Sequence, residues 1–247
     1  MRTFVKMAVI QTKLYLREPI NVFFTLLMGP LLLVLMGIIF GNAPQPALNG
    51  LSQMDVSVTA YVALIIGITG LTSVPIAVTS RREMGVLRRF SATPLKPLTY
   101  FLADIVAPVL VTLLGALILI LLGFLIYHVR FEGQWLSVIA GICLSIFSFF
   151  SLGYAIAGIV PNTAIATVLG NVVIIPMNIL SGALIPLEVL PQAVREISRF
   201  IPMTYMVTLL RGLWFGDSWG NHLLEVAVLV GLLILGMIVV GLTFKWE

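Results

Sequence analysis

Arg81-Arg82-Glu83-Met84-Gly85-Val86-Leu87-Arg88-Arg89-Phe90-Ser91-Ala92-Thr93-Pro94 is a short basic stretch between two long apolar runs. Four of the 14 Lys and Arg residues lie within nine of its positions, in a chain only 10% charged. Basic connections between apolar runs of spanning length stay on the cytoplasmic side of a membrane. The runs on either side are therefore read as membrane helices, and the fold as all-α.

Composition agrees. The 247 residues are 60% hydrophobic, with a mean hydropathy of +1.13. Several apolar runs exceed 18 residues, and the charges are too few to cover a water-soluble globule. The single cysteine, Cys143, excludes an intrachain disulfide, and two histidines make no zinc-type cluster. The net charge of +4 would suggest nucleic acid in a soluble protein; here the basic residues flank spans and set orientation, so no nucleic-acid partner is expected.

Six spans are predicted, at Ile20–Phe40, Ser57–Thr79, Phe101–Tyr127, Trp135–Val160, Thr163–Ile185 and Leu223–Phe244. Each can cross about 30 Å of hydrocarbon at about 1.5 Å per residue. The first is too long for a signal-peptide core and is read as retained. Ten basic residues fall on one set of connections: Arg2, Lys6, Lys13, Arg17, Arg81, Arg82, Arg88, Arg89, Lys96 and Lys245. Four fall on the other: Arg130, Arg195, Arg199 and Arg211. The first set is cytoplasmic, which puts both termini inside. Trp135, Trp214, Trp219 and Tyr127 fall near span ends, as interfacial aromatics do.

Three connecting regions depart from plain loops, and all belong to a single transmembrane domain over residues 1–247. Residues 1–18 form an amphipathic cytoplasmic surface helix: Arg2, Lys6, Lys13 and Arg17 share an arc of about 60° on a helical wheel, suited to anionic lipid headgroups or to a protein partner. Residues 80–100 form the basic loop. On a helix, Arg81, Arg82, Gly85, Arg88 and Arg89 share one face, while Glu83 lies amid Val86, Leu87 and Phe90. An acid so placed needs an external partner: a helix N-terminus, the surface helix or another subunit. Residues 182–221, on the outer side, contain Pro186, Pro191 and Pro202 with short helices expected at Val189–Phe200 and Met203–Phe215. Their apolar content suits a broken hairpin re-entering the outer half of the membrane, or two helices flat at the interface.

Three blocks then carry a likeness: Arg17-Glu18-Pro19, the loop Arg82–Pro94, and the outer run Leu180-Ser181-Gly182-Ala183-Leu184-Ile185-Pro186-Leu187-Glu188-Val189-Leu190-Pro191 with Ile201-Pro202-Met203-Thr204-Tyr205 and Leu210-Arg211-Gly212. With the six-span layout, the chain resembles the permease subunits of type-2 ATP-binding-cassette exporters. The resemblance implies that the surface helix, with Arg17, and a loop helix at Arg82–Phe90 dock on a separate ATPase subunit that carries ATP and Mg. The coupling positions would be Arg82, Glu83, Gly85, Leu87, Arg88, Arg89 and Phe90, and the hairpin, with Pro186, Pro191, Pro202 and Tyr205, would close the exit. Two permeases, identical or different, and two ATPases would form the working unit in the plasma membrane. Met84 stands where relatives commonly carry Arg or Lys.

The search for chemistry on the chain itself agrees. A phosphate-binding loop needs Gly-Lys-Ser or Gly-Lys-Thr; Lys6, Lys13, Lys96 and Lys245 are followed by Met, Leu, Pro and Trp. No catalytic or metal-binding set is expected, and no cofactor on this chain. In the fifth span Thr163, Thr167, Asn171, Asn178 and Ser181 fall within about 80° of one wheel face, near Pro176. They can line a pathway or hydrogen-bond to neighbouring helices. Asp104, His222 and Glu225 lie at span ends and are read as interfacial. The expected cargo is a hydrophobic or amphipathic molecule (a drug, a lipid or a lipid-linked glycan) moved outward. An ion-coupled secondary transporter, or a non-transporting membrane partner of an ATPase, remains the alternative.

Overall fold

The computed structural model describes residues 2–17, 19–48, 50–86 and 102–243. Nine α-helices follow in order among the described residues: α1 Arg2–Leu16, α2 Pro19–Phe40, α3 Gln53–Glu83, α4 Leu102–Tyr127, α5 Trp135–Ile159, α6 Thr163–Leu180, α7 Gln192–Ser198, α8 Pro202–Trp214 and α9 Leu223–Thr243. Among the described residues there is no β-strand, only an isolated bridge between Pro44 and Ser52. Five helical segments among the described residues are long and apolar enough to cross a membrane: Gln53–Glu83, Leu102–Tyr127, Trp135–Ile159, Thr163–Leu180 and Trp219–Thr243. The apolar part of α2, Thr25–Phe40, is shorter.

The helix ends follow local chemistry. Ser52 opens α3 with a capping box: its Oγ accepts from the Asp55 N–H at 3.1 Å, and Asp55 Oδ2 accepts from the Ser52 N–H at 2.9 Å. Asn162 opens α6, its Oδ1 accepting from the Ile165 N–H at 2.8 Å. That helix stops at Leu180, five residues short of the expected Thr163–Ile185 span, because the chain turns at Gly182, whose φ of +87° suits glycine.

α3 is the central pillar, and nearly every residue from Gln53 to Gly67 is buried. It contains a wide turn at Thr69–Ser73, where the Val74 N–H bonds to the Thr69 carbonyl five residues back. Before that turn α3 packs on α2, α4 and α8; after it, on α5 and α6. The turn itself is where neighbouring backbones come closest. A Cβ at Gly153 of α5 would fall on the Gly70 carbonyl oxygen, and one at Gly170 of α6 would lie 2.8 Å from the Leu71 carbonyl oxygen. Thr25 of α2 reaches the same turn, Oγ1 to Thr69 Oγ1 at 3.3 Å.

α5 and α9 pack as a pair joined by serines. Ser148 Oγ donates to the Leu229 carbonyl at 2.8 Å and Ser151 Oγ to the Leu232 carbonyl at 3.4 Å, bonds worth about 0.6 kcal/mol each in a bilayer. α8 lies in the core against α3, α5 and α9. Met203, Met206, Leu209, Leu210, Leu213 and Trp214 are all buried there, so this helix is packed against its neighbours and not solvated. α7 is shorter than the expected Val189–Phe200, whereas α8 has the length of the expected Met203–Phe215 and begins one residue earlier. Trp214, expected to be an interfacial aromatic, is 1% exposed, stacks on Phe124 and donates its Nε1–H to the Arg130 carbonyl at 2.7 Å. By contrast α2, α4, α6 and α9 turn large apolar side chains outward, among them Ile38, Leu125, Val172 and Leu242. Apolar residues on both the inner and outer faces are what a lipid solvent requires.

Candidate functional site at the arginine-rich end of α3

The last turn of α3 places three charged residues against three different neighbours. Arg81 is 6% exposed and forms a buried ion pair with Asp104 of α4, itself 2% exposed. The same Nη1 reaches Gln11 Oε1 of α1 at 3.3 Å. Asp104 Oδ2 also accepts from the Tyr154 hydroxyl of α5 at 2.9 Å. Two charges removed from water are tolerated only when their remaining valences are met, and here α1, α3, α4 and α5 all contribute. Arg81 is thus not on the shared basic face expected of it, and Asp104 is a buried partner rather than an interfacial acid.

Arg82 turns the other way. Its guanidinium donates to the carbonyls of Ala157, at 3.0 Å, and Val160 at the C-terminal end of α5. These are carbonyls that a helix end leaves without partners, and a cation is favoured there. Glu83 crosses to the start of α6: Oε1 accepts from the Thr163 backbone N–H at 2.9 Å, and Oε2 accepts from the Thr163 Oγ1–H at 2.7 Å. A carboxylate over a helix N-terminus satisfies a free N–H and the dipole together. Of the partners foreseen for Glu83, the helix N-terminus is the one found. Arg82 and Glu83 therefore clamp the tight connection between α5 and α6 from both sides.

The helix ends at Glu83, and the chain turns at Met84 and Gly85, whose φ is +68°. Arg82 and Glu83 therefore close α3 rather than opening a separate helix over Arg82–Phe90. Leu87, Arg88, Arg89 and Phe90 lie outside the described residues. Arg17 is exposed beyond the end of α1.

The polar stripe of α6 is divided. Thr167 Oγ1 donates to the Thr163 carbonyl at 2.9 Å, Asn178 and Ser181 are buried, and Asn171 is exposed. Ser181 Oγ accepts from the Ala183 N–H at 3.3 Å, whereas buried Asn178 Oδ1 has no hydrogen-bond partner. Between α6 and α8, Pro186 is buried, Pro191 is exposed and Pro202 opens α8. Tyr205 donates its hydroxyl to the Arg199 carbonyl at 2.6 Å. His222, read as interfacial, is buried, with Nε2 3.2 Å from Asp217 Oδ2. Among the described residues no three His, Cys, Asp or Glu side chains gather as metal ligands.

Two pairs were missed by sequence reasoning: the buried pair of Arg81 with Asp104, which joins the ends of separate helices, and buried His222 with exposed Asp217. An acid near the start of one apolar run and an arginine at the end of another was the only available signal.

Comparison with known proteins covers the same ground. The profile of the ABC-2 type transporter family matches residues 3–215. The inner membrane transport permease YhhJ of Escherichia coli (strain K12) is 30% identical over 158 residues, 62% of this chain and 42% of that protein. Nodulation protein J of Rhizobium leguminosarum bv. viciae is 30% identical over 99 residues, 39% of this chain and 38% of that protein. The chain thus matches less than half the length of these curated relatives. The family profile itself runs from α1 through α8, including every helix that meets at Arg81, Arg82 and Glu83, and the chain belongs to the ABC-2 type transporter family.

Proposed function

We propose that the chain is the permease subunit of an ATP-driven exporter, moving a hydrophobic or amphipathic molecule out across the plasma membrane. A chain of this family is the membrane subunit of an ABC transporter and a multi-pass protein, and its YhhJ relative is named an inner-membrane permease. The finer reading is that α2 supplies a sixth crossing, with α1 and residues 80–100 facing the cytoplasm. A separate ATPase subunit, binding ATP and Mg, docks there, and a second permease completes the pore.

The observation that carries this reading is the junction at the end of α3. A displacement of the loop that follows Glu83 acts at once on the α5–α6 connection through Arg82 and Glu83. Through Arg81 it also acts on α1 and α4. Such a point suits the transfer of ATPase closure into the spans: Arg82, Glu83 and Gly85 form the described part of the coupling region, with Leu87, Arg88, Arg89, Phe90 and Arg17 as its further contacts. The outer region, with Pro186, Pro191, Pro202 and Tyr205, is the exit gate.

The test is gentle purification of the tagged protein from its native membranes, with identification of what accompanies it and an assay of ATP hydrolysis. Recovery of a P-loop ATPase, lost when residues 82–90 are altered, is the expected result. In the reconstituted complex Glu83→Ala should retain the ATPase and abolish transport. A permease recovered alone without hydrolysis would overturn the ATP-driven reading, and wild-type transport by Glu83→Ala would remove the coupling role.

On α6, Asn171 lies near the helix midpoint beside exposed Val168, Val172 and Ile175. An amide facing lipid at that depth is costly, so we assign it to a pathway shared with the second permease, together with half-buried Thr167, while Asn178 and Ser181 are buried within this chain and do not reach that face. Asn171→Leu should alter export severalfold while ATPase assembly persists. Loss of assembly instead would mark Asn171 as a packing residue.

A further inference from the structure

At the end of the bundle opposite Glu83, a cavity of about 380 Å³ opens between the Leu187–Val189 turn, α8 and the segment that leads into α9. Its walls are apolar in part, including Val56, Leu187, Val207 and Phe215. Four ionisable side chains line the rest: Glu188, Arg211, Asp217 and His222.

The two bases are already engaged. Arg211 Nη1 bonds to Glu188 Oε1 at 2.6 Å. His222, 8% exposed, sits between Asp217, 3.2 Å from its Nε2, and Glu225, 3.8 Å from its Nδ1. The two lining acids are more open than the bases, with side chains 37% exposed at Glu188 and 51% at Asp217. Each has a second oxygen beyond those used in these pairs. Glu188, Asp217 and Arg211 together give the lining one more negative charge than positive, and Glu225 adds another behind the His222 ring. An apolar space of this volume with surplus carboxylate oxygens at its edge suits one kind of guest, an apolar body bearing a positive charge.

We propose that this cavity binds amphipathic organic cations, with Glu188 and Asp217 as the anionic partners and Arg211 as a built-in competitor for Glu188. In the resting arrangement the Arg211 guanidinium occupies the position against Glu188 that a guest cation takes. An arriving cation displaces it and frees the Leu187–Val189 turn from α8. The proposal deepens the transport reading by naming a substrate class, but its test is a binding measurement independent of ATP or of any partner.

The experiment uses the full chain in lipid nanodiscs with two probes of nearly equal shape and opposite charge, tetraphenylphosphonium and tetraphenylborate. Saturable binding of the phosphonium only is expected. Glu188→Gln and Asp217→Asn should each weaken it by about three- to tenfold. Arg211→Gln should strengthen it by a similar factor, a gain that a damaged fold cannot imitate. Equal saturable binding of the borate, phosphonium uptake that never saturates, or an affinity unmoved by all three substitutions would overturn the proposal. The same cation chemistry is present in phosphatidylethanolamine headgroups. Competition when that lipid is added to phosphatidylglycerol nanodiscs identifies a lipid source, and unchanged affinity identifies a free solute; either result supports the cation site. A failed binding test alongside a co-purified ATPase would leave the exporter reading standing without this substrate class.

Discussion

Asp104→Ala should sharply lower both the folded yield and the thermal midpoint of the protein. The substitution removes one half of a buried ion pair and takes from Arg81, 6% exposed, its carboxylate partner, leaving the hydrogen bond to Gln11. Breaking such a pair from one side costs about 3–5 kcal/mol, because the remaining charge stays out of water. For a chain of this length that corresponds to a fall of roughly 10 °C in thermal midpoint. The measurement is the midpoint and monodisperse yield of the detergent-purified protein. The double substitution Arg81→Met with Asp104→Leu removes both charges and keeps volume near the original, and should recover much of the loss. If the double variant is as unstable as the single one, packing rather than charge holds this corner. A restored fold with impaired transport would separate the pair's role in coupling from its role in stability.

Gly153→Val should be nearly as damaging for a different physical reason. The added atoms meet the Gly70 carbonyl, which belongs to the wide turn of α3 and cannot swing aside as a side chain can. Relief requires α5 to move away from α3, carrying with it the α9 contacts through Ser148 and Ser151. Overpacking of this kind costs about 1–3 kcal/mol, more where backbone must shift. Gly231 and Gly241 of α9 have open space where a Cβ would stand, so Gly231→Ala and Gly241→Ala should leave stability unchanged or slightly raised. Thermal midpoints of the three variants, measured side by side, check the assignment. Equal tolerance at Gly153 and Gly231 would remove the close approach from the account.

These residues also show how far the amino-acid sequence carries the fold. Length and hydropathy locate the membrane helices to within a few residues, because a bilayer sets how long an apolar run must be. They say little about which face of each run turns inward, since lipid and helix core are equally apolar and select the same side chains. Trp214 and Ile38 look alike on paper, yet one is 1% and the other 78% exposed. The spacing of Gly153 and Ala157 indicates that some helix comes close, while only the fold assigns Gly70 as the neighbour. Glu83 was legible as an acid lacking a partner on its own helix, and the Thr163 N-terminus supplies one 80 residues along the chain. Arg81 was not legible. A helical wheel groups it with Arg82, but its partner Asp104 lies on another helix, and no local pattern reports that pairing. The division of the α6 stripe has the same origin: Asn178 is buried by its neighbours while Asn171 is not.

The wide turn at Thr69–Ser73 also governs where this chain can change length. A wide turn of this type takes in about one residue more than an ordinary helical turn does. Removing a residue within it would close α3 into a regular helix while leaving Arg81, Arg82 and Glu83 above Asp104, the end of α5 and the start of α6. Removing a residue between Val74 and Thr79 would swing all three around the helix axis by about 100° and detach them from every partner they have. A one-residue deletion that spares this junction therefore has one permissive position in α3, beside its tightest packing.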